Sequence, residues 1–238
     1  MLFTALGEAP VWAQILQGVY DLLPILLFLV GSIVLQQALY NKMVKGCYTL
    51  FAGGTIMVTS AGILKGLHKI LLGFGVNYVN LDLQFATTEG IGFVLAFIGL
   101  IGMFTSHNKK YTKVQSVGIL ALIPYFLTTA TEYKSSLPFI AVMIIGAAGC
   151  MGVLIYISIR MKAVSSVVLF SVGIIAMIIM GYLSTKTKDG APNGFEWAFA
   201  QISVNVIYQG CYLLGALILK KKGLAKEDSL SKTKNDNI

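Results

Sequence analysis

Within an apolar run at residues 197–219, Gln201, Asn205, Tyr208, Gln209 and Tyr212 recur at i, i+4, i+7, i+8 and i+11. On a helix that spacing collects them on one face. Amides and phenols inside hydrocarbon need partners, and such groups face a bundle interior, a cavity or a solute. A neutral set of donors and acceptors suits an uncharged or zwitterionic polar solute better than a bare ion. The competing reading is that the amides bond neighbouring helices, a contact worth about 0.6–2 kcal/mol in a membrane. In an earlier apolar run, Thr55 and Thr59 share a face with Gly62 and Gly66. Small residues so spaced are a packing seam, beside which the threonine hydroxyls are placed to reach a solute. Pro124 frees the Leu120 carbonyl and bends its helix; with Pro138 it is a candidate gate. Glu89 and Glu132, at helix ends facing one side, are candidates to bind a proton or cation that drives movement of the solute. Asp21, Lys69 and Glu196, also at span ends, read as solvated or snorkelling charges.

The elements that must position these groups follow from composition. The chain has 238 residues, 56% hydrophobic and 12% charged, with a mean hydropathy of +0.79. That balance excludes a soluble domain. The expected fold is an all-α integral membrane protein, a seven-helix bundle with spans at 20–40, 48–66, 90–104, 114–129, 138–159, 164–183 and 197–219. The runs are continuous rather than alternating, which argues against a barrel. Residues 1–18 lack a basic n-region and are expected to form an outer interfacial segment, 19–222 the membrane domain and 223–238 a disordered cytoplasmic tail.

The net charge of +8 is patterned rather than general. Lys42 and Lys45, Lys109 to Lys113, Arg160 and Lys162, and Lys220 to Lys226 follow alternate spans, while Glu8, Asp21, Asp82, Glu89, Glu132, Asp189 and Glu196 fall on the opposite side. By the positive-inside rule the basic loops are cytoplasmic and the N-terminus is outside, in a plasma membrane. The bilayer thus accounts for the basic character, and nucleic acid is not an expected partner. Association of identical copies is left open.

Several chemistries lack their residues. His68 and His107 have no cysteine at ligand spacing, so no metal site is expected. No phosphate-binding glycine loop is present, and the last span has no lysine before Lys220 for a retinal Schiff base. Cys47, Cys150 and Cys211 read as buried free thiols. No cofactor is expected.

The halves of the chain partly repeat. Leu50, Phe51, Gly54, Ile56, Gly62 and Leu64 match Leu169, Phe170, Gly173, Ile175, Gly181 and Leu183 at a constant offset; Leu23-Pro24 matches Leu137-Pro138, and Gly102 is set against Gly215. An extra span between the triplets gives a parallel 3+1+3 repeat. In this architecture the chain resembles the SWEET sugar transporters and the wider PQ-loop group. That family pairs an Asn of span three with one of span seven around the solute. Asn205 stands at the second position and Gly92 at the first, and the Pro-Gln dipeptides are absent. The leading expectation is a transporter or facilitator of a small polar solute with a midplane site on the last helix. The alternatives are a seven-helix sensor or accessory protein that binds without transport, and a lipid-modifying enzyme using Glu89, Glu132 and His68.

Overall fold

A computed structural model describes residues 11–76, 79–105, 137–184 and 194–224. Those residues form six helices and no strand: α1 Val11–Leu39, α2 Lys45–Gly73, α3 Val79–Thr105, α4 Leu137–Arg160, α5 Val164–Ser184 and α6 Gly194–Lys221. Five have segments long and apolar enough to cross a membrane, and α3 contains the apolar stretch Thr87–Met103. In hydrocarbon a helix satisfies its own backbone, which is why uninterrupted apolar runs adopt it. The chain is therefore a helical, multi-pass membrane protein. The span expected at 114–129, with Pro124, lies outside the described residues, as do Glu132 and the tail from 225 onward.

Two helices begin earlier than their apolar runs. α1 starts at Val11, so residues 11–18 of the expected outer segment continue the same helix, and α3 starts at Val79 rather than residue 90. Both extensions carry polar residues, Gln14 and Gln17 in α1 and Asp82 in α3. Pro24 lies inside α1 and is buried. Tight turns join two of the pairs. Lys42 and Met43 donate back to the Leu39 carbonyl between α1 and α2, while Lys162 takes a left-handed φ of 52° between α4 and α5.

Each helix packs on its chain neighbour, and α6 closes onto α1, giving a ring. Within each triplet the neighbours run antiparallel. Gly54 of α2 lies against Gly92 and Ala96 of α3, whereas Gly99 lies against Cys47 and Phe51. The second triplet shows the same sense, since Gly173 approaches Tyr208 and Cys211 while Phe170 covers Gly215. Two seams between the triplets run parallel. Gly146 meets Phe93 and Gly149 meets Phe97 across α3 and α4, and α1 is joined to α6 by Tyr20–Ser203 and Ser32–Tyr212 contacts of 3.2 Å and by Lys220 donating to Gln37 at 2.9 Å. The core runs through the ring around Leu35, Phe51, Leu100, Met151, Leu154 and Phe170, all fully buried.

Candidate functional site

α6 places its polar residues at different depths of burial. Tyr208, Gln209 and Tyr212 are buried, while Gln201 and Asn205 are half-buried. Tyr208 and Tyr212 reach the interior, where Thr55 meets them across a cleft lined also by Phe28, Phe51, Phe93, Ala96, Leu100, Cys150, Met151 and Leu154. The cleft has about 310 Å³ of space between atoms but room inside for about one water molecule. Its walls are almost wholly apolar. Ring packing fills it: Phe28 stacks on Tyr212 at 5.2 Å and meets Phe93 edge-on at 5.9 Å.

The polar groups of the cleft are largely engaged. Tyr212 shares its hydroxyl bond with Ser32, and Thr55 accepts from Gln36 at 2.8 Å while donating to the Ala52 carbonyl at 2.9 Å. Thr59, one turn along α2, donates to the Thr55 carbonyl and does not line the cleft. Gln201, Asn205 and Gln209 are also absent from its walls. Gln209 is 7% exposed, and its side-chain oxygen has no hydrogen-bond partner among the described residues. An orphaned amide oxygen in a bundle interior is uncommon, since burial without a bond costs about 1–3 kcal/mol.

Above the cleft the charges are closer together than their sequence positions suggest. Asp21 and Lys69, expected to be solvated, form a buried ion pair between α1 and α2, with 4% and 6% of their side chains exposed. The reason is geometric: the Gly18–Gly66 and Gly73–Ile15 contacts draw the helices close enough to cover both side chains. Gln17, one turn before Asp21, is buried with its side-chain oxygen unpaired among the described residues, and His68 is buried beside Lys69. Glu196 is exposed. A sequence signal for this cluster lies in the spacing of Gln14, Gln17 and Asp21 along one face of α1, which crosses the expected boundary between the interfacial segment and the first span.

Glu89 is half-buried on α3, on one face with Phe93, Ala96 and Leu100 of the cleft. Asn205 precedes Tyr208 and Tyr212 on α6 by similar spacing, so each helix carries one polar residue about a turn beyond the cleft. Glu132 and Pro124 lie outside the described residues, as does the side chain of Pro138. Cys47, Cys150 and Cys211 are free and buried, with the Cys150 thiol 3.7 Å from the Phe93 carbonyl. No group of three or more metal-ligating side chains occurs among the described residues.

At the opposite end, Lys45 lies 3.4 Å from the ring centre of exposed Tyr40. Its hydrogen bond, and then its charge, hold the Tyr40 phenol below the usual tyrosine range.

The helices and their packing define a multi-pass helical membrane protein with an internal cleft. No family model, curated protein or solved structure matches the chain.

Proposed function

We propose that the protein carries a small polar solute across the plasma membrane, with α6 supplying the principal binding face. The observation that carries this reading is Gln209, buried in a membrane bundle with a side-chain oxygen unpaired among the described residues, in line with Gln201, Asn205, Tyr208 and Tyr212. A purely structural amide would be bonded to a neighbouring helix. Thr55 faces the same cleft, Thr59 stands one turn beyond it, and Glu89 is placed to couple proton or cation movement.

The ring supports alternating access between two lobes, α1–α3 and α4–α6, joined along parallel seams. Gly99 packs on the backbone and Cβ of Phe51 and Gly215 under the ring of Phe170, a pairing of corresponding positions that supports a repeat relating the lobes. In that register Glu89, not Gly92, becomes the counterpart of Asn205, just under one helical turn from the alignment drawn on Gly102. The basic helix ends are assigned to the cytoplasm, and the narrow cleft belongs to a closed state.

Reconstituted vesicles offered sugars, amino acids, nucleosides and amines test the reading. Replacing Asn205 and Gln209 together by Leu is expected to abolish uptake while expression persists; retained uptake removes the assignment. The sensor reading is favoured by a cleft that admits only about one water. Specific ligand binding without flux of that ligand would establish it instead.

A further inference from the structure

The central cleft suits one kind of polar group much better than others. A sugar or nucleoside would set several hydroxyls against carbon, losing water without gaining partners. Thr55 offers little relief, because its hydroxyl already accepts from Gln36 and donates to Ala52. The dominant surface is aromatic: Phe28, Phe51, Phe93, Tyr208 and Tyr212 all line the space. Ring faces carry negative potential and attract cations, most strongly where water is excluded.

A cation held there also needs a countercharge, and Glu89 supplies it. It lies four residues before Phe93, on the face of α3 that also carries the cleft-lining Ala96 and Leu100. The neighbouring acid, Asp21, is occupied by Lys69. Lys65 forms no ion pair with Glu89 among the described residues, and its ammonium sits 5.4 Å from the ring centre of Phe85. Lys65 thus shows the local preference of an ammonium for an aromatic ring.

We propose that the cleft takes the ammonium head of a small organic cation, held on the ring faces of Phe28, Phe93, Tyr208 and Tyr212 with Glu89 as its countercharge. This rests on the transport reading above for the direction of solute movement, but the binding claim stands on the cleft alone. Entry requires the Phe28–Tyr212 stack to part, because the closed cleft admits only about one water.

The test uses the full-length purified protein with choline as the probe, compared with its uncharged isostere in which a quaternary carbon replaces nitrogen. Choline is expected to raise the unfolding midpoint and the isostere to leave it unchanged. Glu89→Gln should weaken choline binding at least about tenfold, the ratio that corresponds to about 1.4 kcal/mol. Tyr212→Phe, which keeps the ring, should change binding less than about threefold, whereas Tyr212→Leu should match the loss in Glu89→Gln. Equal stabilisation by choline and the isostere overturns the proposal, and so does a choline response unmoved by Glu89→Gln. The wild-type comparison of the two probes decides the matter even where a variant fails to fold. Vesicle flux separates the two claims: uptake of neutral solutes with choline inert overturns the cation site and leaves transport standing. Glu89-dependent choline binding with no solute crossing supports the site and removes transport.

Discussion

The two triplets share helix directions but are held together differently. In α1–α3 the backbones themselves touch: a β-carbon at Gly54 would collide with the Gly92 carbonyl oxygen and lie 2.5 Å from the Ala96 nitrogen, and one at Gly99 would lie 2.6 Å from the Phe51 nitrogen. In α4–α6 the position equivalent to Gly54 is Gly173, whose nearest neighbours are side chains at 3.2–3.9 Å, and Gly181 and Gly210 meet nothing within 4 Å. The most apolar window of α5 is 22% buried, against 39% for α2. The buried ion pair also belongs to the first triplet. Backbone contact permits no sliding without steric collision, whereas side chains can change rotamer. A rigid first triplet and an adjustable second one follow from that difference.

Four changes would sharpen or break this contrast. Lys69→Ala should have the largest effect, about 3–5 kcal/mol, because it strands Asp21 inside the bundle. Replacing both partners by Leu should recover much of the loss, as followed by thermal unfolding in detergent. A double variant as unstable as the single one would show that the pair itself holds α1 to α2. Next, Gly54→Ala should destabilise by about 1–3 kcal/mol through overpacking against backbone, while Gly173→Ala should remain within about 0.5 kcal/mol. Equal shifts in the two variants would erase the distinction between triplets. Ser166→Ala removes the 2.7 Å bond from the hydroxyl to the Gly215 carbonyl, a main polar tie between α5 and α6, and should cost about 0.6–1.7 kcal/mol. A larger loss would mean that polar bonds substitute for close packing in the second triplet.

The smallest effect concerns Tyr40, which is exposed and lies just past the end of α1. Lys45 favours its phenolate, so the ionised form is the one stabilised in the fold. That contribution is present above the ordinary tyrosine value and is lost as pH falls through the lowered one. Ultraviolet titration should show Tyr40 ionising below pH 10.0, its unperturbed value. Lys45→Met should return it to that value, and an unchanged titration would exclude the contact in solution.

Most helix positions were legible because hydrocarbon demands long apolar runs. The expected spans at 138–159, 164–183 and 197–219 lie within or nearly coincide with α4, α5 and α6. The starts of α1 and α3 were hidden because polar residues in their first turns end the hydropathy signal before the helix ends. Site geometry was less accessible. Periodicity put Tyr208 and Tyr212 on one face with Asn205, but it could not distinguish cleft-lining tyrosines from Gln209 packed beside them. Asp21 and Lys69 are 48 residues apart, and only the close approach of α1 and α2 turns two apparent surface charges into a buried pair. Glycine identity alone could not decide between Gly99 and Gly102 as the partner of Gly215, since the two choices differ by less than one helical turn.

The seam between α1 and α6 bears on how the molecule is made. Tyr20 with Ser203, Ser32 with Tyr212 and Gln37 with Lys220 are separated by 183, 180 and 183 residues. At about 5–20 residues per second, roughly 10–40 s pass between synthesis of one side and the other. During that interval the hydroxyls and amide on this face of α1 lack their final partners, so ring closure is the last event of insertion. Without α6, the α1 side chains Tyr20, Ser32 and Gln37 lack the partners that close the ring.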